Sequence, residues 1–399
     1  MTSAAHESES TAISARDSGR RLRIAFVVHD YNRHGGHARY TAELARRFRA
    51  EHDVHVFSNT VDDADRDDIT FHHVPAWRLN ALTTITSFII PATVLVPRTF
   101  DIVHAQGLCG LFHNVATAHF CQTAWFNALG REGVRLSWKQ RAFQSVVAGL
   151  ERHALCKTST CRVIAISHRI KDDLAACYGR TSGVSVIYHG TDLSMFHPAN
   201  VARYRCEMRQ SIGVANDRFL ALYVGDMKKG AIAAIQAVAT TPDVTLLIVS
   251  ASSTADAKAA AAEAQIEDRV IFVAHSREIE KLFACADAFL LPTIYDAFGL
   301  VISEAMAAGL PVVTSRMAGA SELITDGVDG LLTSRAWDVP MLAAHLARLR
   351  DDPELREAIG TAARARVEAL TWDRTAELTL DVYDSIVLSR PESRSAGSR

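Results

Sequence analysis

The 399-residue sequence predicts an α/β fold of doubly wound parallel sheets in two domains, and three observations carry that expectation. Short β-branched apolar runs alternate with helix-period segments along most of the chain, the pattern of strands joined by crossover helices. Glycine-containing loops follow several of the apolar runs, where open α/β sheets hold their ligands. Hydrophobic residues make up 48% of the chain, enough for two separate cores, and Gly190 to Pro198 is rich in turn formers where a boundary is needed.

Leu22 to His29 is the first strand, followed by Tyr31 to Arg39 with Gly35 and Gly36, then a helical pattern through Phe48. The two glycines would let backbone approach a ligand closely. Ala81 to Val96 is apolar, is broken by Pro91 and falls short of the roughly 20 residues a membrane span needs. It reads as a helix walling a substrate side. Asp101 to Gly107 and Val115 to His119 are the next strands, with His104 and His119 at or near their ends. Ser137 to Leu150 has helical apolar spacing through Trp138, Phe143, Val146, Val147 and Leu150, interleaved with Lys139 and Arg141. Val163 to Ser167, Val184 to Asp192 and Phe196 to Pro198 lead to the boundary.

The second half opens on the strand Phe219 to Val224, then Gly225-Asp226-Met227-Lys228-Lys229-Gly230 and an alanine-rich helix. Lysines beside glycines at a strand end suit a diphosphate. Val244 to Val249 and Val270 to Val273 continue the sheet, and Ala274 to Arg277, with His275, is the loop after them. Ala288 to Leu291 is a buried strand ended by Pro292. Its loop carries Asp296, Phe298 and Gly299, and Leu300 to Ala308 is an apolar helix with Glu304 near its middle. That helix would offer free N–H groups and its positive dipole end to an anion. Pro311 to Thr314 is the following strand, and Ala318 to Glu322 is a small-residue loop. Leu370 to Ile386 closes the chain as a helix.

The spacing of Asp296 and Glu304 resembles the acid-x7-acid motif of the retaining glycosyltransferases of family 4, and similar flanks run from Ala286 to Leu332. The resemblance extends over roughly residues 22 to 388. It implies the GT-B fold, with two Rossmann-like domains facing a central cleft. The N-terminal domain, residues 21–191 completed by helix 371–388, would receive the acceptor, and residues 192–370 would bind a nucleotide-sugar donor. Residues 1–20 and 389–399 read as disordered tails.

Residue by residue, the resemblance implies catalytic roles for His119, Asp296 and Lys229. Donor contacts would come from Gly35, Gly36, Gly225, Lys228, Lys229, Asp296, Phe298, Gly299, Leu300 and Glu304. Glu304 would take ribose hydroxyls, and His119 and Asp296 would face the transferred sugar. Two departures stand out. Asp296 occupies a position usually held by Glu, one methylene shorter, and Asp226 sits about where the family places an Arg. UDP-, GDP- and ADP-sugars all remain open as donors.

Further expectations are no metal or other cofactor, a glycan or lipid-linked acceptor of the cell envelope such as a polysaccharide or lipopolysaccharide core, and a bacterial source. Localisation is expected to be cytoplasmic, peripheral at the inner face of the membrane. Seven scattered cysteines suit a reducing compartment. The formal net charge of −2 gives no pull toward nucleic acid. Residues 131 to 180 are different, with ten Lys or Arg against four Asp or Glu, and could meet an anionic membrane or acceptor. A dehydrogenase is excluded, since no Gly-x-Gly-x-x-Gly follows the first strand. The rival readings are a degenerate GT-B binding protein, a phosphorylase and an epimerase.

Overall fold

The computed structural model describes residues 20–33, 36–62, 69–156, 161–274 and 276–389. The expectations for Gly35, His275 and nearly all of both tails lie outside them. A first sheet has the strand order β5-β3-β1-β6-β7-β8-β9, from β1 (Arg23–Val27), β3 (Asp53–Ser58), β5 (Thr70–His73), β6 (Ile102–Gln106), β7 (Val115–Ala118), β8 (Arg162–Ala165) and β9 (Val184–Val186). The pairs β1–β3, β1–β6 and β3–β5 are parallel. The short strands β2 (Asp30–Tyr31) and β4 (Thr60–Val61) pair separately. Helices of this half are α1 (Gly36–Phe48), α2 (Ala81–Leu95), α3 (Gln122–Arg131), α4 (Trp138–Cys156) and α5 (His168–Tyr178).

After α6 (Asn200–Ser211), a second sheet takes the order β12-β11-β10-β13-β14-β15. Its strands are β10 (Phe219–Val224), β11 (Val244–Val249), β12 (Val270–Val273), β13 (Ala288–Leu291), β14 (Val312–Ser315) and β15 (Leu331–Thr333). Every neighbouring pair in it is parallel. The interleaved helices are α7 (Ala231–Ala239), α8 (Ala255–Glu263), α9 (Ile279–Cys285) and α10 (Leu300–Ala307). They are followed by α11 (Val339–Asp351), α12 (Pro353–Val367) and α13 (Trp372–Leu388). The central strands are buried on both faces, which is why they read as unbroken apolar runs.

By the density of internal contacts the chain divides into two units. One comprises the described parts of Met1–Ala116, Thr158–Val163 and Ala376–Arg399; the other comprises those of Thr117–Lys157 and Ile164–Thr375. The boundary at 191/192 stays a proposal about folding units. Inside the first unit Tyr383 of α13 meets His104, with its hydroxyl 2.6 Å from Nδ1, so this histidine ties a strand to the last helix. Burial drives the His104 pKa down to about 3 and keeps the ring neutral.

One expectation about local structure is corrected. The loop Ala318–Glu322 is mostly a single 3-10 turn, Gly319–Leu323. Helix α4 forms as expected; its inward side is Val147, Glu151, Ala154 and Leu155, and Trp138, 72% exposed, and Val146 face outward. The deciding residue is Glu151, a carboxylate that an apolar count assigns to solvent. Its oxygens accept from the Gln122 N–H at 3.0 Å, capping α3, and from the Tyr178 hydroxyl. Burial pushes its pKa from 4.5 up to about 7.

A raised carboxyl pKa means that the folded chain holds a proton which the unfolded chain has released, so stability falls as pH rises from 4.5 through 7. Glu151→Gln keeps an acceptor for Gln122 and removes the charge. It is expected to stabilise the protein at pH 8 by up to about 3 kcal/mol. Below pH 4.5 the variant and wild type should melt together, and equal melting curves at pH 8 would contradict this account.

Candidate active site

Three loops at carboxyl ends of second-sheet strands build the site inside the larger unit. The loop after β10 begins at Gly225 and makes one 3-10 turn, Met227–Lys229, closed by Gly230 at φ +99°. Asp226 caps that turn by accepting from the Lys228 N–H at 2.8 Å, and it also accepts from the Ser252 hydroxyl at 2.8 Å. The residue standing near the family's Arg position is thus committed to shaping the loop. Gly230 leaves no space for a side chain, since a Cβ there would stand 2.2 Å from the Pro292 carbonyl oxygen. The turn separates the two lysines. Lys228 is exposed, whereas Lys229 Nζ donates to Asp296 Oδ2 at 2.6 Å, with side chains 38% and 10% exposed respectively.

Burial presses the Lys229 pKa down, but Asp296, by charge and hydrogen bond, and Asp226 outweigh it and hold it above the ordinary lysine value. The lysine stem lies on Gly225, its Cδ 3.7 Å from where a Cβ would be. The Asp296 carboxylate lies 3.6 Å from the corresponding point on Gly299. Gly299 adopts φ +92° as the N-cap of α10 and packs on the carboxylate, a conformation glycine alone takes cheaply. Leu300 opens the helix, and Glu304 follows in its second turn. Glu304 is buried, among the fully buried Ala305, Met306 and Ala307. A carboxylate on that apolar helix is costly unless it has polar company.

The loop after β13 is held by its backbone. Ser167 Oγ donates to the Ala297 carbonyl at 2.7 Å, Gly319 N–H to Asp296 at 2.8 Å, and Ala320 N–H to Phe298 at 2.6 Å. The Tyr295 hydroxyl donates to Asp173 Oδ2 at 2.8 Å, and the Arg169 guanidinium lies 4.8 Å over the Tyr295 ring. Glu322 accepts from the N–H groups of His168 and Arg169 at 2.9 and 2.6 Å, at the start of α5. Ser167, Asp173, Tyr295 and Glu322 were not singled out from sequence as holders of this loop. Only Ser167, a helix N-cap accepting from the Ile170 N–H at 3.1 Å, carried a local signal.

His119 is buried just past β7, its ring 5.4 Å from that of His189, which in turn is 5.3 Å from Phe298. The structure therefore brings His119, Lys229, Asp296, Phe298, Gly299, Leu300 and Glu304 into one unit, with Gly225 beneath the lysine. Gly36 begins α1 in the other unit, and a Cβ added there would meet nothing within 4 Å. His29, at the end of β1, contacts the Cys109 thiol at 3.0 Å. Burial lowers the histidine pKa to about 4 and raises the thiol out of the reactive range, so that pair is a packing contact.

The two carboxylates of the acid-x7-acid resemblance thus stand on either side of the Gly299 cap, Asp296 in the loop bonded to Lys229 and Glu304 on the helix. Comparison with known proteins agrees. The family model described as Glycosyltransferase Family 4 matches residues 34–195, and that described as Glycosyl transferases group 1 matches residues 205–366. The chain belongs to the family-4 glycosyltransferases.

Among curated relatives of this glycosyltransferase is the D-inositol 3-phosphate glycosyltransferase of Arthrobacter sp., 33% identical over 219 residues, covering 51% of this chain. The match spans half the length of that relative. Among solved structures, WaaG, a glycosyltransferase involved in lipopolysaccharide biosynthesis, superposes with a TM-score of 0.80 at 20% identity, over 90% of this chain and 99% of its own. Anabaena HepE in complex with UDP and glucose gives a TM-score of 0.72 at 20% identity, over 92% and 100%. These likenesses establish the GT-B architecture of two Rossmann-like domains.

Proposed function

We propose that this chain is a retaining glycosyltransferase that moves a sugar from a nucleoside diphosphate sugar to a glycan or lipid-linked acceptor of the cell envelope. The observation that carries the reading is the Lys229–Asp296 pair, set between Gly225 and Gly299 at the start of α10. HepE, solved with UDP and glucose, lends support on the donor class.

In this reading Glu304 accepts from the ribose hydroxyls, and Asp296 and His119 bond hydroxyls of the transferred sugar. As the bond from sugar C1 to phosphate oxygen breaks, Lys229 and the free N–H groups at the start of α10 stabilise the charge gathering on the diphosphate. The acceptor oxygen forms its bond to C1 on the same face, and the departing phosphate takes the acceptor proton. Lys229 supplies the cation, so the reaction is proposed to need no metal, and turnover should be unchanged by EDTA. The protein would work at the cytoplasmic face of the membrane, with the basic segment 131–180 toward an anionic surface.

Calorimetric titration with UDP-, GDP- and ADP-sugars tests the donor site. One nucleotide class should bind, and Glu304→Ala should weaken it by about ten- to a hundredfold, the worth of charged hydrogen bonds to a pair of hydroxyls. Absence of binding by every donor would sink the proposal in favour of a degenerate binding fold.

A further inference from the structure

The largest exposed apolar side chains of the first unit gather around one helix. On α2 the core side is Phe88, Ala92 and, just past its end, Val96, packed among Phe57, Val74 and Phe100. On the opposite side Ile90 and Val94, four residues apart and therefore on one face, are 69% and 77% exposed. The chain before the helix is fastened to that face. Trp77 N–H donates to Ser87 Oγ at 2.8 Å, and the Thr84 hydroxyl donates to the Trp77 carbonyl at 3.3 Å. Trp77 is 74% exposed and Leu79 82% exposed. On the other flank Leu111 N–H donates to Thr93 Oγ1 at 3.0 Å, adding a further partly exposed leucine. These hydrogen bonds hold the exposed apolar side chains of the preceding segment and of Leu111 alongside the helix, a surface that water solvates poorly.

From Thr70 to Phe100 the sequence contains no Asp or Glu and two arginines, Arg78 and Arg98. Arg78 shares its charge with Asp30 at 2.6 Å. The Arg98 guanidinium lies 4.8 Å over the Phe112 ring. A tryptophan and aliphatic residues bordered by hydroxyls and arginine match the boundary between lipid headgroups and acyl chains. At 15 residues α2 is too short to cross a bilayer, and no described helix is long and apolar enough to do so. It can lie along the surface instead.

We propose that Trp77, Leu79, Ile90 and Val94 form a docking face by which the protein rests on an anionic bilayer. The face is distinct from the basic segment 131–180, and the inference does not depend on glycosyl transfer, because its test needs no turnover.

The test is flotation of the purified full chain with phosphatidylcholine vesicles, with and without about one third phosphatidylglycerol. Wild type should float with the anionic vesicles. The triple variant Trp77→Ser, Ile90→Ser, Val94→Ser, whose replaced side chains are exposed and whose melting temperature should be unchanged, should partition at least about tenfold more weakly. Arg98→Glu should weaken binding to the anionic vesicles more than to the neutral ones. Three results would overturn the proposal: wild type failing to float, the triple variant floating as well as wild type, or wild type self-associating through this face while ignoring vesicles. In the second case, loss of flotation in Arg135→Glu, Lys139→Glu would leave the basic segment as the contact.

Discussion

Lys229→Ala is expected to lower turnover by about 10²- to 10³-fold at saturating donor, the usual cost of removing one group that stabilises developing negative charge. Donor affinity should fall less, because the diphosphate carries more charge on the lysine side as it departs than while still bonded to the sugar. The same change leaves Asp296, 10% exposed, without its ammonium partner. Breaking a buried pair costs about 3–5 kcal/mol, but the lysine side chain is 38% exposed, so about 1–2 kcal/mol is expected here.

The double variant Lys229→Ala, Asp296→Asn separates the two effects. Removing the stranded charge should return most of the lost stability and none of the lost rate. Were the double variant to turn over within about threefold of wild type, the pair would be a structural bridge and the catalytic role of Lys229 would be refuted.

The parts legible from sequence were those fixed by local pattern. The apolar runs of β10, β11 and β13 coincide with the observed strands, because burial on both faces imposes an unbroken run. The helix after Gly299 was legible because a glycine cap, an apolar face and a glycine stop fall in one short stretch. What the sequence could not show is which of two adjacent lysines faces the site. The answer depends on a contact with Asp296, 67 residues away, and on a turn shaped by Asp226. The burial of Glu151 on α4 was illegible for a related reason: its partners Gln122 and Tyr178 both lie on other helices. Likewise Ser167 reaches Ala297 across 130 residues and Glu322 reaches His168 across 154. Periodicity carries no information about bonds at that separation.

Gly319→Ala follows from those long-range bonds and is expected to damage fold and site together. The carbonyls of Asp296, Ala297 and Phe298 are held in succession by Gly319 N–H, Ser167 Oγ and Ala320 N–H. A Cβ on Gly319 would stand 2.1 Å from the Ala297 oxygen and 2.9 Å from Ser167 Oγ, and both atoms belong to that staple. Neither can give way cheaply, because the first is backbone and the second is the N-cap of α5. The loop must therefore move outward, stretching all three bonds and carrying the Asp296 carboxylate away from Lys229.

A stability loss of about 2–4 kcal/mol is expected, from overpacking plus weakened buried hydrogen bonds. Donor binding should weaken in parallel at temperatures where the variant is still folded. Ser167→Ala removes one of the three bonds without adding bulk and should cost only about 1 kcal/mol. Thermal unfolding and donor titration of both variants decide the matter. A Gly319→Ala protein that melts within ~1 °C of wild type and binds donor equally well would mean that the loop has slack, and that the position of Asp296 is not set by this staple.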